Sequence, residues 1–240
     1  MGEYELKYSV FGTSAILVQW PSEIDEYILN DILEFKKLIQ NNNIKQILEI
    51  INTYNSLLIK YDFTIDNFND KIFALKSLYA SLKYSKKRES KLWKIPVCYD
   101  ATFALDLDDL ARIIRCSQDE IIAIHSAPIY TVFFIGFLPG FLYLGGLDKR
   151  LHFDRKKTPN PSIKKGSVGI GGQQTGIYPQ NSPGGWHIIG NSPIEFFHPK
   201  LETPCFANAG DKIQFIPIGL EEYRHILNET FNLKPVDYNG

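Results

Sequence analysis

The sequence predicts an α+β protein, in which a small domain of mixed helices and strands is followed by a larger β-rich domain. Two observations support this prediction. Helical and strand-like periodicities alternate over the N-terminal part, whereas short apolar segments separated by Gly, Pro, Asn and Ser dominate after Tyr130. We therefore expect two domains, one over residues 1–90 and one over residues 91–240.

The N-terminal domain is expected to begin with a strand over Ser14–Trp20, which is rich in β-forming residues. Ser22 and Asp25 resemble a capping box, and the apolar residues that follow at helical spacing predict the first helix. The next predicted elements are strands over Ile47–Ile51 and Leu57–Tyr61, a helix from Asn67 to Tyr84, and a strand over Leu92–Cys98. This β-α-β-β-α-β order indicates a ferredoxin-like arrangement, with Leu6–Phe11 as an extra strand.

The C-terminal domain is expected to open with two helices, Leu107–Arg115 and Gln118–His125, the second with Ser117 and Glu120 as a capping box. Short apolar segments then predict strands over Tyr130–Ile135, Phe141–Leu144, Val168–Ile170, Trp186–Ile189, Ile194–Phe197 and Ile213–Pro217. A last helix is predicted over Glu221–Asn228. Strands of this length and spacing are typical of a closed barrel or a sandwich.

The composition is that of an ordinary globular protein, with 44% hydrophobic residues and a formal net charge of −1. Nucleic-acid binding is not indicated, because it needs a strongly basic face. Three cysteines without a CxxC pair argue against a disulfide framework or a zinc site and indicate the cytoplasm. Ser126–Leu147 is uncharged and long enough to span a membrane, but its Pro and Gly residues divide it, so we expect buried strands there.

The common local signatures of catalysis are missing from the chain. It contains no GxxxxGK[ST] phosphate loop, no complete GxGxxG, no HExxH and no GxSxG. The function therefore has to be sought in a longer pattern of residues.

Glycine, proline and aromatic residues are concentrated in the segment Gly136–Trp186. Glycine allows positive φ angles and close approach of the backbone to a ligand or another chain. Because long loops without a function are uncommon, we expect this segment to form an outward-facing rim of the C-terminal domain that contacts a ligand or a partner. The alternative is a β-rich core with tight Gly-Gly and Pro-Gly turns.

Several residues in or near this segment allow two interpretations each. Arg155 and Lys165 are cations beside a glycine-rich backbone, where they bind a phosphate or carboxylate or are simply solvated. His125, at a predicted helix end, is either an acid–base group or a capping and packing residue. Tyr178 and Trp186 form either an apolar wall for a ligand or part of the core.

A long and specific motif runs through the same segment, with GFLPGFLYLGGLDKRL from Gly136 and GSVGIGGQQTGIYPQNSPGGWHIIG from Gly166. IPVCYD near Ile95, the HS pair at His125 and YTV at Tyr130 extend it. Together these motifs resemble the family of 5-oxoprolinase B subunits, also called KipI-type or allophanate-hydrolase-subunit-1-like. The resemblance covers most of the chain and implies a ferredoxin-like N-terminal domain followed by a cyclophilin-like β-barrel.

The resemblance implies a component of an ATP-dependent complex that hydrolyses 5-oxo-L-proline to L-glutamate. Its partners would be a homologous C subunit of the KipA type and an A subunit. The complex would use ATP and Mg²⁺, while this chain would hold no metal and be inactive alone. ATP is needed because a lactam carbonyl is a poor electrophile until its oxygen is phosphorylated. A second function implied by such relatives is inhibition of a sporulation histidine kinase through protein–protein binding.

The resemblance also suggests roles for individual residues. Gln174 and Thr175 would contact the polar atoms of the substrate, and His125 would transfer a proton. The backbone amides of Gly169–Gly172, together with a nearby cation, would bind a carboxylate or phosphate. The remaining residues expected in the substrate site are Tyr178, Arg155, Lys165, Gly171 and Gly172.

Overall fold

The computed structural model describes residues 4–42, 44, 46–83, 90–228 and 236–238, the last three by their backbone alone. The chain divides into two compact units, Met1–Arg88 and Glu89–Gly240, each with its own hydrophobic core. Among the described residues, no helix combines the length and apolarity that crossing a membrane requires.

A four-stranded antiparallel sheet with two helices makes up the N-terminal unit. Its elements are β1 (Lys7–Phe11), β2 (Ala15–Gln19), α1 (Glu26–Asn41), β3 (Ile47–Asn52), β4 (Ser56–Tyr61) and α2 (Phe68–Ala80). The strands pair in the order β1-β2-β4-β3. Helix α1 buries Ile28, Ile32, Phe35 and Ile39, which lie three or four residues apart and therefore share one face.

The predicted β-α-β-β-α order of this unit is confirmed, but the predicted last strand, although present, does not belong to its sheet. Leu92–Cys98 lies in the sheet of the second unit, and β1 takes the sheet position beside β2. A tight turn makes this possible, because Gly12 adopts a φ of 61° and connects β1 directly to β2. The structure thus confirms the α+β class, whereas the unit departs from the predicted ferredoxin-like arrangement at this strand.

The helix boundaries of this unit also differ slightly from the prediction. Helix α1 begins at Glu26, and Asp25 is the capping residue itself, because its side chain accepts hydrogen bonds from the amides of Tyr27 and Ile28. The predicted end of the second helix, Tyr84, lies outside the described residues. Asp25 alone therefore caps the helix, whereas the sequence predicted a capping box formed by Ser22 and Asp25.

The second unit is built around a closed seven-stranded barrel. Its elements are β5 (Ser90–Cys98), α3 (Leu107–Ile114), α4 (Gln118–Ser126), β6 (Tyr130–Ile135), β7 (Leu142–Gly145), β8 (Asn160–Ile163), β9 (Ser167–Gly171), β10 (Gln174–Ile177), β11 (Ser182–Gly184), β12 (His187–Asn191), β13 (Lys212–Ile218), α5 (Leu220–Asn228) and β14 (Val236–Tyr238). The sheet runs β12-β9-β10-β7-β6-β13-β5, and the pair Asn191–Cys98 closes it between β12 and β5. Strand β14 pairs with β5 as well, and β8 pairs with β11.

The structure decides between the barrel and the sandwich in favour of the barrel. The capping box of Ser117 and Glu120 at α4 is present, and strands β6 and β7 occupy the long uncharged segment, as predicted. Ile194–Phe197 is not a strand, although Phe196 is fully buried. Its apolar pattern therefore reflects burial of an irregular segment, which periodicity alone does not separate from a buried strand.

Candidate functional site

The glycines at the centre of the segment Gly136–Trp186 lie in barrel strands instead of a loop. Strands β9 and β10 are buried along their whole length. A Cβ atom on Gly171 would lie 2.5 Å from the indole Cδ1 and Nε1 atoms of Trp186, and one on Gly176 would lie 3.0 Å from its Cζ3 atom. These glycines are therefore required so that Trp186 can lie against the backbone. The expected outward-facing rim is wrong for these two strands.

An aromatic cluster covers this glycine surface. Phe141, Tyr178 and Trp186 form a hydrophobic cluster with Ile163 and Ile188, separate from the main core of the barrel unit. The Phe141 ring meets the Tyr178 and Trp186 rings edge to face, with ring centroids 5.1 and 5.4 Å apart. Aromatic side chains favour this geometry, and each pair adds roughly 1 kcal/mol beyond the burial of its area. The cluster is consequently a well-packed wall.

A pocket of about 330 Å³ opens over the aromatic cluster. Aromatic side chains, two prolines and two glycines line it, and Arg155 is the one charged residue in the described lining. Small-molecule sites usually enclose roughly 300–1,000 Å³ and combine apolar walls with a few polar groups. This pocket is at the small end of that range and therefore suits a small ligand.

The Arg155 guanidinium is positioned at the pocket without a protein counter-ion. Its Cζ atom lies 5.7 Å from the centre of the Trp186 ring, which is within the range of a cation–π interaction. Throughout the described ranges, no Asp or Glu lies within salt-bridge distance of Arg155. An unpaired guanidinium beside an apolar surface is suited to binding a carboxylate or phosphate.

Hydrogen bonds fix the backbone directly after Arg155. The amide of Lys156 donates to the Gly185 carbonyl at 2.7 Å, and its Nζ atom donates to Asp106 Oδ1 at 2.6 Å. Asp106 Oδ2 accepts a further hydrogen bond from the amide of Ile188 in β12 at 2.7 Å. Asp106 therefore connects the loop that carries Arg155 to a barrel strand and fixes the backbone next to Arg155.

Two tyrosines line the same pocket. Burial raises the pKa of Tyr178 to about 12, although the backbone of Trp186 and the charge of Arg155 act in the opposite direction. Burial also raises the pKa of Tyr143, against the lowering effect of Arg155. Both hydroxyls therefore remain protonated at neutral pH and keep a proton that can be donated in a hydrogen bond.

Phe137, at the mouth of the pocket, has a strained backbone. Its φ is 65°, in the left-handed region, and its side chain is 64% exposed. A residue with a Cβ atom costs about 1–2 kcal/mol in this conformation. Such strain concentrates at functional sites, where the surrounding structure maintains it. The Phe137 ring contacts the Phe141 ring edge to face, with centroids 5.8 Å apart.

His125 lies inside the core of the barrel unit, away from the pocket. It has no exposed surface, and its ring stacks on Phe215 with centroids 4.7 Å apart. Thr175 Oγ1 donates to the Gly169 carbonyl, so it accepts from His125 Nε2 at 2.9 Å. Nδ1 then accepts from the Tyr99 hydroxyl at 2.8 Å. Burial lowers the pKa of His125 to about 3, so the neutral ring is a structural hydrogen-bonding group.

The other expected site residues are distributed over three places. Thr175 is fully buried in the hydrogen-bond network of His125, and Lys165 forms a solvent-exposed ion pair with Glu195 at 3.0 Å. The amides of Gly169–Gly172 lie in or next to β9, which pairs with β10 and β12, and Gly172 exchanges backbone hydrogen bonds with Phe153. The expected anion site on these amides is therefore wrong, because the sheet uses them.

Gln174 has a different environment from Thr175. By the alternation of β10, it lies on the same face as Gly176, which carries the aromatic cluster. Its side chain is buried, with 7% of the residue exposed, and its Nε2 atom has no hydrogen-bond partner among the residues that the structure describes. Of the residues expected in the substrate site, Arg155 and Tyr178 line the pocket, together with Trp186, the other candidate for an apolar wall.

Sequence reasoning missed Phe137, Phe141, Tyr143 and Gly184 as parts of the pocket. The sequence did contain a signal for the aromatic wall. The glycines of the GIGG and TGI stretches recur on one strand face, and Trp186 follows them in the chain. The positive φ of Phe137 had no such signal, since only its backbone geometry reveals it.

Comparison with known proteins identifies the family. Residues 6–207 match the family described as "Carboxyltransferase domain, subdomain C and D". The chain is 34% identical to the 5-oxoprolinase B subunit of Bacillus subtilis (strain 168), over 92% of this chain and 96% of that protein. It is 38% identical to the 5-oxoprolinase B subunit of Haemophilus influenzae, over 87% of this chain and 96% of that protein. The chain therefore belongs to the family of 5-oxoprolinase B subunits.

A solved structure supports the fold of the chain. The crystal structure of the Kluyveromyces lactis urea carboxylase superposes with a TM-score of 0.85 over 98% of this chain, at 21% identity. This chain corresponds to only 24% of the urea carboxylase chain. At this identity the likeness concerns the fold alone.

Proposed function

We propose that this chain is the B subunit of an ATP-dependent 5-oxoprolinase, which hydrolyses 5-oxo-L-proline to L-glutamate. The observation that carries the proposal is the similarity, over nearly their whole length, to two proteins named as B subunits of 5-oxoprolinase. These names favour a hydrolase subunit over the inhibitor of a histidine kinase. The partners are a C subunit and an A subunit, and the site of action is the cytoplasm, where ATP is available.

The pocket of this chain does not fit MgATP. It has one cation and no carboxylate in its described lining, whereas a nucleoside triphosphate with Mg²⁺ requires several cationic or amide groups and oxygen ligands for the metal. The sequence also lacks a phosphate loop. We therefore assign the ATP site to another part of the complex, and the chain alone is expected to be inactive.

The experiment is reconstitution of the complex from this chain, a C subunit and an A subunit. We expect release of phosphate and glutamate that requires ATP, Mg²⁺, 5-oxoproline and all three proteins. The control is the same mixture without this chain, which should show no turnover of 5-oxoproline. Equal glutamate production with and without this chain would refute the proposed function.

A further inference from the structure

We infer that the pocket between Arg155 and Trp186 is a binding site for a small ring-shaped monocarboxylate, with the carboxylate on Arg155 and the ring on the aromatic wall. The inference rests on the proposed function for the identity of the ligand, which is 5-oxoproline. It goes further by placing the substrate on this chain, at residues that lie together in the structure. The alternative location, the glycine amides of β9, is excluded by their use in the sheet.

The charge of the pocket indicates that the ligand carries one carboxylate. Arg155 is the one charged group in the described lining, so the pocket is suited to a single anionic group and not to a dianion with several separate contacts. The guanidinium presents a planar pair of donors that matches the two oxygens of a carboxylate. The Arg155 Cζ atom also lies 5.7 Å from the centre of the Trp186 ring, which places the cation beside the aromatic wall.

The shape and polarity of the pocket walls indicate that the rest of the ligand is a flat ring. The walls beyond Arg155 are aromatic rings and proline, which are suited to a flat ring of similar thickness. Tyr143 and Tyr178 also line the pocket, and both hydroxyls remain protonated at neutral pH, so each keeps a proton for a hydrogen bond. A lactam ring with one carboxylate matches this arrangement of apolar surface, hydroxyl donors and one cation.

Hydrogen bonds fix the backbone of the loop that carries Arg155 before a ligand arrives. Asp106 and Gly185 fix Lys156, the residue next to Arg155, and Phe153 exchanges two backbone hydrogen bonds with Gly172 on the other side of the loop. At the mouth, Phe137 remains in a strained left-handed conformation. Pre-organisation lowers the entropic cost of binding, and stored strain of this kind is typical of ligand sites.

The test is a titration of the full chain, labelled with ¹⁵N, in which the indole N–H signal of Trp186 reports on the pocket. The ligands are 5-oxoproline and 2-pyrrolidinone, which is the same lactam ring without the carboxylate. We expect 5-oxoproline to shift the signal and to bind more tightly than 2-pyrrolidinone. Substitution Arg155→Met should weaken 5-oxoproline binding roughly 10- to 100-fold and leave 2-pyrrolidinone unchanged.

Two further variants separate the role of Arg155 from a general effect of charge. Arg155→Lys keeps the charge but loses the planar fork, so its affinity should lie between those of the wild type and Arg155→Met. Arg150→Met removes an exposed arginine that pairs with Asp148 away from the pocket, and it should bind as the wild type does. Unchanged 5-oxoproline binding by Arg155→Met, or no response of the Trp186 signal to 5-oxoproline, would overturn the inference.

Binding at Arg155 and turnover by the complex are measured separately, so each can fail without the other. If the reconstituted complex hydrolyses 5-oxoproline but the Trp186 signal does not respond, the site is refuted and the function stands. If 5-oxoproline binds at Arg155 but the complex shows no turnover, the function is refuted and a carboxylate site remains.

Discussion

His125 illustrates how a single residue can have chemistry that its environment does not allow it to use. The sequence places an imidazole just before the long central motif, where an acid–base role is chemically reasonable. In the structure, Tyr99 and Thr175 use both ring nitrogens, and burial disfavours the charged form. The contribution of His125 therefore belongs to stability, with a pH dependence that can be measured.

We predict that His125 makes the protein less stable as the pH falls below 6.5. The pKa of His125 is about 3 in the folded protein and about 6.5 in the unfolded chain, so only the unfolded chain takes up the proton in this interval. The loss of folding free energy due to His125 is negligible above about pH 7.5 and reaches roughly 2 kcal/mol at pH 5. Urea unfolding between pH 7 and pH 5 measures it.

The variant for this measurement is His125→Gln. It should show a flatter pH dependence of the unfolding free energy than the wild type. An unchanged slope in His125→Gln would contradict the structural role.

At the scale of elements, the strands β9, β10 and β11 show why glycine is required in this region. Glycines on these strands allow aromatic side chains to approach the backbone, and the space beside each glycine is already filled. A Cβ atom on Gly184 would lie 2.3 Å from the Tyr178 hydroxyl and 2.6 Å from Ile163 Cδ1. Beside the next residue, Gly185, the closest neighbour is the Lys156 carbonyl at 3.5 Å, an ordinary contact.

We therefore predict different effects of alanine at two adjacent glycines. Gly184→Ala should destabilise the protein by roughly 1–3 kcal/mol, because Tyr178 or Ile163 has to move. Gly185→Ala should change stability by less than about 0.5 kcal/mol. Thermal unfolding of both variants measures the difference, and equal melting temperatures would show that the close contact at Gly184 is not required.

Prediction from the sequence succeeded where the elements have a regular pattern of their own. The apolar spacing of α1 and the capping box of α4 were sufficient to predict both helices. A strand over Leu92–Cys98 was predicted, and β5 contains it, but its sheet was not predicted, because periodicity does not specify the partner of a strand. Strand β10 was missed, since its glycine serves the packing of Trp186, which comes ten residues later in the chain.

At the scale of the whole molecule, each unit has its own core, and the site lies entirely in the barrel unit. Barrel closure depends on the short contact between β12 and β5 at Asn191 and Cys98. Asn191 also accepts from the Tyr223 hydroxyl of α5 at 2.8 Å and donates to the Lys165 carbonyl at 2.9 Å. The barrel thus supplies a rigid support on which the aromatic pocket is built.

Steady-state kinetics of the reconstituted complex that carries Arg155→Met in this chain tests directly whether Arg155 binds the substrate. If the pocket binds the substrate carboxylate, the KM for 5-oxoproline should rise by roughly tenfold or more, while the KM for ATP stays the same. The complex with Arg150→Met should keep both values. An Arg155→Met complex with the wild-type KM for 5-oxoproline would contradict the account.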